Sequence, residues 1–145
     1  MNKAENLSFD QMVTDLQQEI IRQEREIFSE TVIAEAHHPQ NVGRMAQADA
    51  QAIFQGWCGD TMEFYLRMND DVIEEIAFMT DGCGATVACG SRLTQMVQGL
   101  PWQEAIEITP ENLIAVLGGL PEENEHCATL AVKTLRQAIA DWQGS

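Results

Sequence analysis

The sequence has few basic residues and no long hydrophobic run. Lysine and arginine together account for 8 of 145 residues, against 23 aspartates and glutamates, and the formal net charge is -15. Nucleic acid and anionic membrane surfaces would repel such a chain, so we expect neither as a partner. No apolar run approaches the roughly 20 residues of a membrane span, and the N-terminus lacks the apolar core of a secretion signal. These absences predict a cytoplasmic protein.

Internal repeats, low-complexity tracts and flexible linkers are also absent from the sequence. With 145 residues, 45% of them hydrophobic, the chain can bury one substantial core but is too short for two. In a reducing compartment, four cysteines in such a chain are more often metal ligands, catalytic groups or core residues than disulfides. We therefore expect a single domain that is stable without disulfide bonds.

The first part of the chain predicts one long amphipathic helix. Ser8-Phe9-Asp10-Gln11 has the form of a capping box, so the helix is expected to begin there. We expect the apolar face of this helix to pack on the domain; the alternative is a docking arm for a partner. A second helical run over 30–36 is stopped by Pro39. We assign 1–30 to an N-terminal helical extension and 31–145 to the main domain. The apolar residues at helical spacing in the first helix are Phe9, Val13, Leu16, Ile20 and Ile27.

Three strands are predicted in the middle of the chain. The run 50–54 is the weakest candidate, whereas 62–68 alternates strictly between apolar and polar residues. In the run 72–79, Ile76 and Phe78 point to the side opposite Glu75. Short connections between these runs predict an antiparallel meander with one solvated face.

The remainder of the chain predicts helices. The run 85–98 ends at Gly99, short helical runs follow, and Thr109 has the position of an N-cap. Asn124 is the expected N-cap of a long last helix. The predicted fold class is therefore α+β: a small three-stranded antiparallel meander packed with helices, with a long C-terminal helix and an extra N-terminal helix. The inward stripe expected for the last helix is Cys127, Ala131, Leu135, Ala138 and Trp142.

Three of the four cysteines lie at boundaries between predicted elements. Cys58 lies in a glycine-bounded turn, Cys83 follows the third strand, and Cys127 lies in the first turn of the last helix. Because the second and third strands run in opposite directions, Cys58 and Cys83 are expected at the same end of the sheet. A helix N-terminus favours the thiolate, which is the form that binds metal and attacks sulfur. Gly82 and Gly84 are expected to permit unusual backbone angles and close approach of a ligand.

Two further residues add other donor atoms beside these cysteines. Asp60 supplies a carboxylate and His126 an imidazole, and three sulfurs with one nitrogen or oxygen suit either tetrahedral zinc or an iron-sulfur cluster. The cysteine spacings of 25 and 44 residues match no compact zinc-finger pattern. Cys89 falls on the inward face of its helix and is expected to be a core residue. His37 and His38 lie in a predicted loop and are assigned no role.

Four short motifs, in order along the chain, resemble those of the U-type iron-sulfur cluster scaffold family. This family includes IscU and the N-terminal domain of NifU, and the similarity extends from about Val32 to Trp142. The motifs are His38-Pro39-Gln40-Asn41-Val42-Gly43, Cys58-Gly59-Asp60, Thr80-Asp81-Gly82-Cys83-Gly84, and Leu117-Gly118-Gly119-Leu120-Pro121 followed by His126-Cys127.

The resemblance implies a non-enzymatic scaffold protein. Such a protein receives iron, and sulfur from a cysteine desulfurase, builds a [2Fe-2S] or [4Fe-4S] cluster, and passes it to recipient apo-proteins. On this reading Cys58, Cys83 and Cys127 are cluster ligands, Asp60 keeps the cluster labile, and His126 is a neighbouring ligand. Cys127 is also the expected main acceptor of persulfide sulfur. Zinc in the isolated protein and association into a homo-oligomer are both compatible with this reading.

Two parts of the chain depart from the family pattern. The family carries two prolines, a valine and a lysine before its His-Cys pair, whereas residues 121–125 read Pro-Glu-Glu-Asn-Glu and Asn124 replaces a lysine. Chaperone-assisted release through this segment is therefore not expected, and the first 30 residues match no part of the family. The alternatives are a zinc-binding sulfur acceptor that stimulates a cysteine desulfurase, and a structural zinc domain without sulfur chemistry.

Overall fold

The computed structural model describes residues 3–144, with side chains from residue 8 onward. Within that range the chain forms six α-helices, three β-strands and one 3₁₀ turn at Glu122–Asn124. The predicted α+β class is confirmed, including the long C-terminal helix and the extra N-terminal helix. In chain order the elements are α1 (Lys3–Ile27), α2 (Glu30–His37), β1 (Ala50–Gln55), β2 (Thr61–Asn69), β3 (Val72–Thr80), α3 (Gly84–Val97), α4 (Trp102–Ala105), α5 (Pro110–Val116) and α6 (Glu125–Gln143).

The three strands form an antiparallel meander in the order β1-β2-β3, as the sequence predicts. In the central strand, Leu66 pairs with Ala50 on one side and with Ile76 on the other. Helix α6 packs on β1 and β2, and α3 packs on β3. The side chains of Met62, Phe64 and Leu66 are fully buried. Alternation along β2 therefore sets which face of the sheet carries the core.

The opposite face of the sheet is solvated, with one exception. Arg67 is exposed and pairs with Glu75 across the strands at 3.3 Å. Tyr65 is buried, although alternation predicts exposure. Its hydroxyl donates to the Glu63 carboxylate, which also accepts from Arg44 at 3.0 Å. Tyr65 is thus one polar-face residue of β2 that sequence alternation alone places incorrectly.

Helix α3 approaches β3 closely because Gly90 has no side chain. A Cβ at Gly90 would lie 2.4 Å from the Phe78 ring, far inside van der Waals contact. The neighbouring Cys89 is fully buried, which confirms the prediction of a core residue. Burial raises the pKa of the Cys89 thiol, so that it behaves as a small apolar side chain.

The segment between α2 and β1 is partly paired with the sheet rather than a free loop. Val42 forms a parallel bridge with Phe78. The N–H of Phe78 donates to the Asn41 carbonyl at 3.0 Å, and the N–H of Gly43 donates to the Phe78 carbonyl at 2.9 Å. Asn41 has a positive φ of 63° and its side chain donates to Thr94 in α3. This segment therefore joins β3 to α3, which accounts physically for one of the four motifs.

Helix α1 differs from the prediction in two respects. It begins by Lys3, so Ser8 lies inside the helix and is not its cap. From residue 8 to residue 27 no side chain is buried, so the expected packing of the apolar face on the domain is wrong. The helix joins the domain at its C-terminal end, where Glu24 lies 3.0 Å from His37. Ser29 then caps α2 by accepting from the Val32 N–H, and it donates to the Leu117 carbonyl.

The ends of the later helices are partly as predicted. Thr109 caps α5, and Asn112 completes a reciprocal capping box with it. Asn124 precedes α6, but its side chain makes no capping hydrogen bond. The 3₁₀ turn leads directly into α6 and takes the place of the predicted side-chain cap. The inward stripe of α6 is buried from Cys127 onward, apart from a partly exposed Trp142.

Candidate functional site

Three separate loops meet at one end of the sheet. The β1–β2 turn carries Cys58 and Asp60, the β3–α3 junction carries Cys83, and the first turn of α6 carries His126 and Cys127. The start of β2 pairs directly with the end of β3. The meander therefore brings the first two loops together, as predicted, and α6 supplies the third.

The β1–β2 turn exposes Cys58 at its tip. The Gly56 N–H donates to the Asp60 carbonyl at 2.6 Å, and the Gly59 N–H donates to the Gly56 carbonyl at 2.9 Å. Gly59 has a φ of +98°, a conformation that side chains rarely adopt. This closed turn holds Cys58 in solvent and directs Asp60 toward the β3–α3 loop.

The β3–α3 loop is hydrogen-bonded to the start of β2 at Asp81 and lies close to Asp60 at Gly82. The Thr61 N–H donates to the Asp81 carboxylate at 2.7 Å. A Cβ at Gly82 would lie 2.7 Å from Asp60 Oδ2, so only glycine allows this approach. Gly84 differs, because a Cβ there would make an ordinary contact of 3.5 Å. Neither glycine has a positive φ, so the expectation of unusual backbone angles is wrong for both.

The other four predicted site residues converge on Asp60. Donor atoms of Asp60, Cys83 and Cys127 lie within 4.8 Å of one another. Donor atoms of Cys58, Asp60 and His126 form a second group with the same limit. The shared carboxylate joins an exposed group to a more buried one, and together they offer three sulfurs, a carboxylate and an imidazole.

Thr86 also belongs to the site, although it was not predicted. Its hydroxyl lies 2.9 Å from Asp60 Oδ2, 3.2 Å from Cys127 Sγ and 3.6 Å from Cys83 Sγ. Thr86 is fully buried in the first turn of α3. The available signal was its position three residues after Cys83, which places both side chains on one helix face.

The Cys83 thiol has a pKa below its ordinary value. Partial burial raises this pKa, but the Thr86 N–H and hydroxyl and the Ala85 N–H together outweigh burial. Cys83 is the N-cap residue of α3, so these N–H groups are among those that a helix start leaves free. The expectation that a helix N-terminus favours the thiolate is therefore confirmed for Cys83, whose side chain is also exposed.

The Cys127 thiol shows the opposite shift, although it too lies in a first helical turn. Burial raises its pKa to about 11, the Thr86 hydroxyl opposes this effect, and the charges of Cys83 and Asp60 add to it. Its side chain is fully buried. The expectation of a thiolate at Cys127 is therefore wrong for the metal-free protein, because desolvation and neighbouring anionic groups exceed the effect of the helix start.

Contacts with Cys127 and Trp57 place the His126 imidazole. His126 Nε2 lies 3.7 Å from Cys127 Sγ, and the His126 ring lies 5.1 Å from that of Trp57. Trp57 is 84% exposed, so this ring contact is on the surface. His37 contacts Glu24 and belongs to neither donor group, but it borders the cavity beside Cys83.

An apolar cavity of about 320 Å³ opens beside Cys83. It lies between α2 and the start of α3, and the C-terminal end of α1 also borders it. The cavity provides an approach to the Cys83 thiol from outside the donor groups. Its lining includes Glu24, Phe28, Val32, Ala36, Cys83 and Asn124.

The fold and the site together define an α+β domain with a thiol-rich cluster of candidate metal donors at one end of its sheet. The family profile described as NifU-like N terminal domain matches residues 27–145. The chain belongs to this NifU-like family.

Relatives with this domain include named scaffold proteins. The chain is 40% identical over 120 residues to the iron-sulfur cluster assembly scaffold protein IscU of Aquifex aeolicus, covering 79% of this chain and 75% of the relative. It is 38% identical over 117 residues to the scaffold protein IscU 1 of Archaeoglobus fulgidus, covering 80% and 76%. The nitrogen fixation protein NifU of Azotobacter chroococcum is 33% identical, and the match spans 81% of this chain but 39% of that protein.

Solved structures share the fold. The N-terminal NifU-like protein of Brucella abortus superposes with a TM-score of 0.65 at 20% identity, over 81% of this chain and 94% of that one. A scaffold structure described as putative, from the SUF system of Fervidobacterium islandicum, gives a TM-score of 0.65 at 22% identity over 79% and 97%. At these identities the likeness concerns the fold alone.

Among the described residues, no helix is long and apolar enough to cross a membrane.

Proposed function

We propose that this protein is a scaffold on which an iron-sulfur cluster is assembled and from which it passes to recipient apo-proteins. The observation that carries the proposal is the convergence of two donor groups on Asp60, one exposed and one more buried. The NifU-like family match supports it, as do relatives named as iron-sulfur cluster assembly scaffold proteins. The cluster is cargo in this proposal, and the protein acts by holding and releasing it.

The residues proposed to hold the cluster are the five that converge. Cys58, Cys83 and Cys127 supply thiolates, the soft ligands that iron-sulfur clusters and zinc both prefer. Asp60 and His126 supply a harder oxygen and a nitrogen. A mixed donor set binds less firmly than four cysteines, and two of the thiols are exposed. Both features favour a cluster that leaves, of either the [2Fe-2S] or the [4Fe-4S] type.

Sulfur transfer from a cysteine desulfurase needs an accessible thiolate on the scaffold. The family resemblance implies Cys127 as the main acceptor, whereas in the metal-free protein its thiol is buried and has a pKa raised to about 11. Cys83 is exposed, has a lowered pKa and borders the apolar cavity. We therefore assign the first sulfur to Cys83, with Cys127 completing the donor set.

Transfer of the sulfur atom to Cys83 needs no added oxidant. The Cys83 thiolate attacks the terminal sulfur of the desulfurase persulfide, a new S–S bond forms at Cys83, and the S–S bond of the donor breaks. The desulfurase cysteine leaves as a thiolate. Release of sulfide from the resulting persulfide then requires two electrons from an external reductant.

The test is to measure iron, zinc and acid-labile sulfide per chain on protein purified without oxygen. The measurement is repeated after incubation with a cysteine desulfurase, cysteine and ferrous iron. Equal gains of iron and sulfide, lost in Cys83→Ser and kept in the matched control Cys89→Ala, support the proposal. Apo-ferredoxin should also acquire its cluster faster from the loaded protein than from free iron and sulfide, which would support the transfer part of the proposal.

Two outcomes would contradict the scaffold proposal. Zinc that stays bound while no sulfide is gained favours a zinc-binding sulfur acceptor that stimulates the desulfurase. Metal uptake that is unchanged in both Cys83→Ser and Asp60→Ala would show that the metal binds elsewhere than at the proposed site.

A further inference from the structure

The exposed residues of α1 follow the heptad pattern of a coiled coil. With positions labelled a to g, the last d position is the polar Gln23, while the apolar residues Val13, Ile20 and Ile27 occupy a and Phe9 and Leu16 occupy d. These five apolar side chains, which we call the α1 seam, are each 40% exposed or more. β-branched residues at a with leucine at d are typical of two-stranded coiled coils. The seam therefore has the pattern of a helix that has one helical partner.

From Phe9 to Ile27, the charged residues at the e and g edges of the α1 seam are all acidic, whereas Lys3 at the start of α1 falls at an e position. Asp10 and Glu24 occupy e positions, and Glu19 and Glu26 occupy g positions. The arginines lie away from the seam, at c and f. Arg22 does contact Glu19 and Glu26, but these pairs are exposed and therefore weak. Residues at e and g set partner choice in coiled coils, so the edges favour a basic partner.

A second copy of this chain does not satisfy these edges. In a parallel pair, position g of one helix faces position e of the other, which would bring Glu19 against Glu24. An antiparallel pair would again place acidic edges together. The formal net charge of -15 adds a general repulsion between copies. Charge complementarity therefore selects a different protein.

We propose that α1 is a docking helix for a partner protein that presents a helix with an apolar seam flanked by lysine and arginine. The α1 seam runs from Phe9 to Ile27 and spans about 28 Å along the helix, which gives almost three heptads of contact. The domain holds α1 at its C-terminal end through Glu24 and His37, which leaves the α1 seam open.

The placement of α1 has one consequence that rests on the proposed function. Glu24 and Phe28 border the same cavity as Cys83. A partner docked on α1 is thereby held near the thiol assigned to receive sulfur. The docking itself requires neither metal nor sulfur, so it can be tested separately.

The probe is a synthetic helical peptide of four heptads with isoleucine at a, leucine at d and lysine at e and g. A matched peptide carries glutamate at e and g. Binding of each to the full chain is measured by fluorescence anisotropy, at low salt and at 0.5 M salt. The basic peptide is expected to bind, with at least tenfold weaker affinity at high salt, and the acidic peptide is not expected to bind.

Two seam variants separate docking from general charge attraction. Leu16→Glu adds an acidic residue in the α1 seam, so nonspecific attraction of the basic peptide would rise, whereas docking would be lost. Gln18→Glu adds the same charge at an f position and is expected to bind as the unmodified chain does. Ile20→Gln is a second seam variant without added charge, and circular dichroism checks that all three variants keep their helix.

Three results would overturn the proposal. The first is equal binding of the acidic and basic peptides. The second is that the Leu16→Glu and Ile20→Gln variants bind the basic peptide as tightly as the unmodified chain does. The third is a dimer of the unmodified chain in sedimentation equilibrium that Leu16→Glu dissociates, because the occupant would then be a second copy. Because the assay contains no iron or sulfide, a failed scaffold test leaves its result unchanged.

Discussion

The hydroxyl of Thr86 lies 3.2 Å from the thiol of Cys127, deep in the site. The same hydroxyl lies 2.9 Å from the Asp60 carboxylate. Thr86 thus links the exposed and the buried parts of the site without supplying a preferred metal ligand. Its single hydroxyl hydrogen can serve only one acceptor at a time, so the contacts of Asp60 and Cys127 depend on each other.

Replacing Thr86 by valine is expected to disturb both stability and thiol chemistry. Thr86→Val keeps the shape but removes the hydroxyl, at a cost of about 1–2 kcal/mol measured by urea unfolding. Because the Thr86 hydroxyl lowers the pKa of Cys83, this pKa is expected to rise, and the pH midpoint of Cys83 alkylation moves upward. Thr86→Ser retains a hydroxyl and should keep the original midpoint. An unchanged midpoint in Thr86→Val would disprove the contact.

Alkylation of the metal-free protein should distinguish two of the cysteines. The lowered pKa of Cys83 populates its thiolate below the pH expected for an ordinary thiol. Cys127, whose pKa burial raises to about 11, is almost entirely protonated at pH 8 and is buried as well. Peptide mass spectrometry after iodoacetamide treatment at pH 8 should therefore show labelling of Cys83 at least tenfold faster. Comparable rates would mean that α6 opens readily.

The two glycines beside Cys83 should respond differently to alanine. Gly82→Ala forces Asp60 and Thr86 away, so we expect lost metal uptake and a stability loss of about 1–3 kcal/mol. Gly84→Ala meets only an ordinary contact at the first position of α3, and alanine is the better helix former. It should be neutral or stabilising by up to about 1 kcal/mol. Metal content and thermal unfolding are measured for both variants. Equal effects of the two substitutions would contradict the close approach at Gly82.

Gly90→Ala tests the packing of α3 on β3. The added methyl would overlap the Phe78 ring, and a loss of about 1–3 kcal/mol is expected in denaturant unfolding. A smaller side chain at position 78 should relieve part of this overlap. In a double-mutant cycle, the Gly90→Ala, Phe78→Leu double variant is therefore expected to lose less free energy of unfolding than the two single variants lose together. Strict additivity would show that the helix simply shifts outward.

The sheet could be predicted from the sequence more accurately than the environment of each side chain could. Alternation along β2 is set by the geometry of a strand, so it identified the buried residues Met62, Phe64 and Leu66. The glycines and cysteines marked the loops that meet. An apolar helical stripe, by contrast, does not say whether its partner lies in the same chain, and the packing expected for α1 was wrong for that reason.

The donor residues of the site could be predicted from the sequence, but the protonation states of their thiols could not. The donor residues could be recognised from local context, whereas the pKa of Cys127 depends on burial by segments far away in sequence. The position of Thr86 three residues after Cys83 indicates that it lies near that thiol, but not that its hydroxyl also contacts Asp60 and Cys127. The buried hydroxyl between Asp60 and Cys127 is a property of the tertiary structure alone.

The convergence of three loops also fixes an order of events during synthesis. Cys58 and Cys83 emerge from the ribosome with the sheet, but Cys127 follows 44 residues after Cys83. Until α6 docks, a metal ion can meet at most part of the donor set, and a partial set binds it weakly. Docking of the last helix is therefore the step that completes the proposed donor set, and metal added in excess should favour that docking.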